Sequence, residues 1–286
     1  MKRIACLMGL LLLSLVFMGC SQAAPDQDEA VAGGEVERIV CLHPAATEIV
    51  YALGMGDKVV GVDLYSNYPA GANDLPKVGD FSGPNLEAIQ ALEPDVIFAG
   101  KGIQEDAVKQ LQDMGANVVV NEATSYEGIY DAIELTARTI GADATQVISD
   151  MREKEAEAET IAAADGKTPK VYYAVSFGDQ GDYTVGQGSF ITDMLEMAHA
   201  DCVTKDISVP WPSYTREQIF ADDPDVILIS GPKEDAVNFK ASPNYQGLRA
   251  VRQGKVYAID YDTSSRAAPR IVDALVRMAK LLHPAE

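Results

Sequence analysis

The chain is poor in the residues that most metal and redox chemistry requires. Its 286 residues include only 3 histidines and 4 cysteines, too few and too scattered for a bare transition-metal site, and no CxxC pair occurs. Basic residues are scarce too. The 23 Lys and Arg face 43 Asp and Glu, for a net charge of −20, which argues against nucleic acid or an anionic bilayer as partner and favours docking onto a basic protein surface. Long apolar runs are missing. The longest, residues 4–18, falls short of the roughly 20 residues a spanning helix needs. There is no nucleophile elbow, phosphate loop or metalloprotease helix. The Gly-rich VGQGS (185–189) lacks the lysine and spacing of a phosphate loop and reads as a turn feeding a helix capped by Ser189.

The N-terminus is a targeting pattern. Lys2 and Arg3, the apolar run 7–18 and then Gly19-Cys20 read as a secretory signal over residues 1–19. The Gly-Cys pair resembles a bacterial lipobox, with Phe17 where Leu is usual. Cys20 is then acylated and holds the mature chain on the extracytoplasmic face of the cell membrane; an ordinary cleaved signal with an incidental Cys is the alternative. Residues 20–36, rich in Ala, Gly and acid without apolar periodicity, read as a flexible tether. Cleavage removes two basic residues and no acid, so the net charge moves from −20 to −22. Cys41 and Cys202 remain, one in each half of the chain.

From residue 38 onward, short β-type runs alternate with helical patterns, which predicts parallel α/β units. Strands are expected over 38–42, 58–62, 95–99 and 117–121, then over 170–175, 225–230 and 255–259. Helices are expected over 45–54, 85–93 and 104–114, then near 189–199, 215–222, 244–251 and 267–282, with Pro269 in the first turn of the last. Between the halves, residues 143–164 contain no Gly or Pro and are dominated by helix formers, a rod of about 33 Å. The organisation predicted is a first lobe over 37–140, a connecting helix over 141–166 and a second lobe over 167–286. The fold class is α/β, two Rossmann-like lobes joined by one long helix. A surface helix inside one lobe is the alternative for 143–164.

An internal match supports the two lobes. EAIQALEPDVI begins at Glu87 and EQIFADDPDVI at Glu217, 130 residues later, with 7 of 11 positions identical. Each Glu follows a capping residue, Asn85 or Thr215, by two positions. A carboxylate there complements the helix dipole, worth ~0.3–1 kcal/mol. That explains one Glu better than two matched ones. A catalytic acid–base pairing is a poor reading, because one residue in each lobe does not bring two groups to one substrate atom.

The stretches RIVCLHPAATEIVYALG (38–54), VGVDLYSNYP (60–69), VGDFSGPNLEAI (78–89), VPWPSYTREQIF (209–220) and SRAAPRIVDAL (265–275) resemble the solute-binding proteins of ABC importers for iron chelates and corrinoids. YSNYP and VPWP are similar to its B12-binding subgroup. The resemblance implies a monomeric, non-enzymatic receptor without a cofactor of its own. It would capture cobalamin or a related corrinoid between the lobes, contact the membrane through its lipid alone and deliver the solute to a permease dimer, with no nucleic acid involved. In that family, glutamates equivalent to Glu87 and Glu217 pair with permease arginines, which a bidentate carboxylate suits. Pro44, Tyr65, Phe81, Phe177, Trp211 and Arg266 are carried over as solute-binding positions. Trp211 either covers one face of a macrocycle or plugs a gap between elements. Arg266 either bonds a solute amide or carboxylate or is a surface charge. His43, at the end of the first strand, is a candidate axial ligand to cobalt or iron, or a hydrogen-bonded structural residue. Haem or a ferric siderophore is the alternative solute, and a chelatase-like enzyme the alternative class.

Overall fold

Near-continuous apolar runs such as Val96–Ala99 and Val226–Ser230 dictate sheets covered on both faces, and helices supply the cover. The computed structural model describes residues 35–80, 83–101 and 104–285. The signal, Cys20, nearly all of the tether and Phe81 lie outside them. The first lobe runs β1 (Ile39–Cys41), α1 (Pro44–Ala52), β2 (Val59–Val62), β3 (Gly79–Asp80), β4 (Gly83–Pro84), α2 (Leu86–Ala91), β5 (Val96–Ala99), α3 (Glu105–Asp113), β6 (Val118–Val120) and α4 (Tyr126–Ile140). Helix α5 (Thr145–Ala163) leads to the second lobe: β7 (Lys170–Ala174), α6 (Phe190–Met197), β8 (Asp201–Cys202), α7 (Arg216–Asp222), β9 (Val226–Ser230), α8 (Lys233–Ala241), α9 (Arg249–Arg252), β10 (Val256–Ile259), α10 (Tyr261–Ser265) and α11 (Ile271–Leu282). Two parallel four-stranded sheets result, ordered β2-β1-β5-β6 and β10-β9-β7-β8.

The strands separate their residues by parity, as a pleat requires. Ile39, Cys41, Val96, Phe98, Val171, Tyr173, Val226 and Leu228 face one large core, which they share across both lobes. The alternate residues Val40, Ile97 and Ala99 face an outer core in the first lobe, and Tyr172, Ala174, Ile227 and Ile229 one in the second. The central core therefore belongs to neither lobe alone.

The internal match is structural in detail. Asn85 and Thr215 cap α2 and α7 by accepting from the backbone N–H of Ala88 and Gln218. Glu93 and Asp223, at the same position in each copy, both take the left-handed conformation, at φ 45° and 41°. Each turn then leads through Pro-Asp into the central strand. Asp95 accepts from the N–H of Arg38 at 2.8 Å, and Asp225 from that of Lys170 at 3.0 Å. Both aspartates thus tie down the start of a neighbouring strand.

Helix α5 bridges both lobes instead of decorating one. Arg152 pairs with Glu127 of α4 at 3.0 Å and lies 3.8 Å over the Tyr130 ring, while Tyr130 donates to Glu155. Lys280 of α11 pairs with Glu157 at 2.8 Å, and Lys154 pairs with Asp273. Several helix predictions need correction. Helices α4 and α8 were not expected at all. The helix predicted over 267–282 is α11, which begins only at Ile271, with Pro269 ahead of it because Arg270 is its N-terminal cap; α10, over Tyr261–Ser265, is a further helix that was not expected. The helix predicted over 244–251 is only the single turn α9.

Because one core serves both sheets, Ile133→Ala in the first lobe is expected to destabilise the whole molecule by ~2–5 kcal/mol. Fluorescence of Trp211, in the second lobe, should report the same lowered melting transition as calorimetry. Two separate transitions would show instead that the lobes unfold independently.

Candidate functional site

In open parallel sheets, binding residues collect at the carboxyl ends of strands, and here they do so from both lobes. A cavity of about 690 Å³ lies where β1 runs into His43 and Pro44, β2 into Leu64 and Tyr65, β5 into Gly100 and Lys101, and β6 into Asn121 and Glu122. The second lobe adds Phe190 at the start of α6, Tyr261 and Asp262 at the start of α10, and Arg266. The size falls in the range that holds a large organic ligand. Lys101 and Arg266 are balanced in the wall by Glu122 and Asp262, so the cavity carries no net charge. The Glu122 carboxylate accepts from the Lys101 backbone N–H, which joins the ends of β5 and β6.

Of the sequence-predicted positions, Pro44, Tyr65, Arg266 and His43 line this cavity. Trp211 does not line it directly. It stands at the edge, about half exposed, with its ring edge-on to Phe190 at 6.3 Å. Its backbone is held by pairing of the flanking prolines: the carbonyls of Pro210 and Pro212 accept from Gly186 and Thr184 at 3.0 Å. A Cβ on Gly186 would come within 2.3 Å of the Val209 carbonyl oxygen, so only glycine lets the Trp211 loop lie this close. Phe177 is placed elsewhere. It packs edge-on against Phe239 at 5.1 Å and Tyr245 at 6.3 Å, beside the outer core of the second lobe.

Arg266 is not a surface charge; it is 8% exposed. Its terminal nitrogens donate to Glu48 Oε1 at 2.9 Å, Asn67 Oδ1 at 2.8 Å and the Tyr65 carbonyl at 3.2 Å, and lie 2.9 Å from Asp262 Oδ1. Little of the guanidinium is left for a solute. Glu48 and its second partner Arg270 were missed in the sequence, although a Glu inside an otherwise apolar helix face was a visible signal. Tyr261 was missed as well, although it follows the end of β10 as Tyr65 follows that of β2.

His43 caps α1: its Nδ1 accepts from the backbone N–H of Ala46 at 3.4 Å. The proton of the neutral ring therefore sits on Nε2, which is buried without a hydrogen-bond partner. The Asn121 carbonyl is near enough to pull the pKa upward but is not placed to accept, and burial prevails, lowering it to about 4. Neither nitrogen is offered to a metal in this arrangement. Cys41 and Cys202 are free and buried, and burial pushes the Cys41 thiol up to about 12, so neither is a reactive nucleophile. Glu87 and Glu217 are exposed at the second position of α2 and α7, with no ion pair among the described residues. Ile89 and Ile219 seat those helices on the two outer cores, away from the shared one.

Two parallel sheets with a cavity at their strand ends suit a solute-binding protein. Residues 39–263 match the model of a periplasmic binding protein family, and the chain belongs to that family. It is a binding protein that works outside the cytoplasm, not an enzyme, which sets the chelatase alternative aside. The chain is 32% identical to the uncharacterised ABC transporter substrate-binding lipoprotein YvrC of Bacillus subtilis, over 99% of this chain and 98% of that one. It is 31% identical to a cobalamin-binding protein of Halobacterium salinarum, over 87% and 70% respectively. The crystal structure of the periplasmic vitamin B12-binding protein BtuF of Vibrio cholerae superposes with a TM-score of 0.74 at 29% identity, covering 87% of this chain and 97% of that one.

The buried His43 generates a pH prediction. Its folded pKa of about 4 lies below the ordinary 6.5, so the unfolded chain binds the proton first as pH falls. Its contribution to stability is therefore complete above about pH 6.5 and is lost towards pH 4. His43→Asn keeps a capping oxygen and is expected to flatten the fall in melting temperature across that window. An unchanged slope would assign the acid sensitivity to other groups.

Proposed function

We propose that this chain is the capturing subunit of an ABC importer, and that it takes up cobalamin or a related corrinoid in the cavity between its lobes. The observation that carries this reading is a wall with aromatic rings at its edges and no net charge. A corrinoid presents a broad macrocycle ringed by amides, which calls for flat apolar contacts and neutral hydrogen-bonding groups. Tyr65, Tyr261, Phe190 and the adjacent Trp211 provide the first, and the half-exposed phenol of Tyr261 adds a neutral hydroxyl. A ferric siderophore, commonly anionic, calls for surplus positive charge, and Lys101 and Arg266 are already balanced. The names of the Halobacterium and Vibrio relatives support the same solute. Haem is the second reading. The phenols of Tyr65 and Tyr261 in the wall favour it, since tyrosine serves as an axial ligand to haem iron, whereas the cap formed by His43 weighs against ligation there.

Delivery follows from the outer surface. Glu87 and Glu217 dock on basic side chains of a permease dimer, one from each lobe. Cys20, lipid-modified, tethers the protein to the membrane; the lipoprotein name of the Bacillus relative supports this. Cys20→Ala should then leave the membrane fraction. Glu87→Ala with Glu217→Ala should stop uptake while solute affinity stays intact. Exposed pairs contribute only ~0.2–1 kcal/mol each, so the double change is the fair test, and wild-type uptake in it would refute the docking role.

The solute is tested by calorimetric titration of the mature protein with cyanocobalamin, haemin and a ferric siderophore. Saturable binding is expected with cyanocobalamin, with quenching of Trp211, the sole tryptophan. Trp211→Ala should lose about 30- to 1,000-fold in affinity, the ~2–4 kcal/mol of a buried aromatic contact, while melting near the wild-type temperature. Saturation by haemin or the siderophore alone would overturn the corrinoid assignment.

A further inference from the structure

Glu48 sits on α1, in the first lobe, with 3% of its surface exposed, and its carboxylate is satisfied by two arginines of the second lobe. Arg266 donates to Oε1 at 2.9 Å. Arg270 grips it bidentately, at 2.7 Å to Oε2 and 2.6 Å to Oε1. Arg270 is also stacked 3.6 Å over the ring of Tyr68. Glu48 and Arg270 are both outside the cavity wall, whereas Arg266 is in it. From Arg266 the contacts continue to the Tyr65 carbonyl and to Asn67, and Asn67 in turn donates to Asp262 Oδ2 at 3.0 Å. The loop that carries Tyr65 and the helix start that carries Tyr261 and Asp262 are thereby joined through one guanidinium.

We infer that Glu48 is a positioning residue for the solute site. By fixing Arg266 together with Arg270, it sets the spacing of the two tyrosine-bearing loops that face each other across the cavity. Arg266, counted in the sequence among the solute-contacting residues, acts chiefly as the link. A guanidinium whose terminal nitrogens already meet four oxygens has little left to offer a ligand, but it holds the backbone of one aromatic and the neighbour of the other. Charge supports the assignment: Glu48 and Asp262 balance Arg266 and Arg270, so the cluster is closed within itself and draws no charge from a solute.

The inference rests on the cavity being the solute site, and its test has one arm that needs no solute. Hydrogen–deuterium exchange of the solute-free mature protein should be accelerated in Glu48→Gln at residues 63–68 and 261–268, by about tenfold or more for each ~1.4 kcal/mol of lost local stability. Amides of β5 and β9 should be unchanged. Arg270→Lys, which keeps the positive charge, should show the same pattern more weakly and guards against a failure of Glu48→Gln to fold. In the second arm, with cyanocobalamin as probe, Glu48→Gln and Arg266→Gln should each weaken binding about tenfold or more, and the double variant should be no weaker than the worse single one. Multiplying losses, or wild-type exchange at both loops in Glu48→Gln and Arg270→Lys alike, would overturn the role. If the wild type binds no cyanocobalamin, the corrinoid reading fails, and the exchange arm still decides for or against Glu48.

Discussion

A buried carboxylate that belongs to one lobe and is answered, among the described residues, by two arginines of the other constrains everything around it. Glu48 is 3% exposed, and removing either side of a buried ion pair typically costs ~3–5 kcal/mol because the other charge is left uncompensated. The arginines that answer it come from residues 266 and 270, more than 200 positions away in the chain. The register of the two lobes, the spacing of the loops at the cavity and the burial of the residues between them therefore depend on one another. The shared core adds the nonpolar half of the same constraint. It makes the lobes two sheets of a single packed body.

The parts of this architecture that local sequence dictates were readable beforehand. Strands such as Val226–Ser230 announce themselves by a continuous apolar run, and the long helix by its lack of Gly and Pro. The matched copies around Glu87 and Glu217 gave away the duplication, and the structure adds why their Pro-Asp is shared: Asp95 and Asp225 each bind the start of a neighbouring strand. Helix α4 went unread although its Ser125 cap, its buried face of Ile129, Ile133 and Ile140 and its left-handed Gly141 stop were all in the sequence. Helix α8 was harder, because its apolar residues form only a weak stripe.

The site was legible to the extent that it follows strand ends. Pro44 and Tyr65 lie where that rule puts them, and Tyr261 would have been found by applying it once more. Phe177 illustrates the limit: it too follows a strand, β7, yet its ring turns to Phe239 and Tyr245 and fills the outer core. Whether an aromatic faces solute or protein is settled by what lies opposite, and a single sequence does not contain that. The partners of Arg266 were invisible for the same reason.

The placement of α2 has a mechanical consequence. Glu87 lies on a helix of six residues, which passes through the left-handed Glu93 and the rigid Pro94 directly into β5. The other end of that strand, Ala99, is followed at once by Gly100 and Lys101 in the cavity wall. Between the outer surface and the cavity there is thus one short helix, one tight turn and one strand at the centre of a sheet, with no slack loop to absorb a displacement. A push or pull at the surface end would travel along stiff, hydrogen-bonded backbone to the floor of the cavity, like force along a short strut.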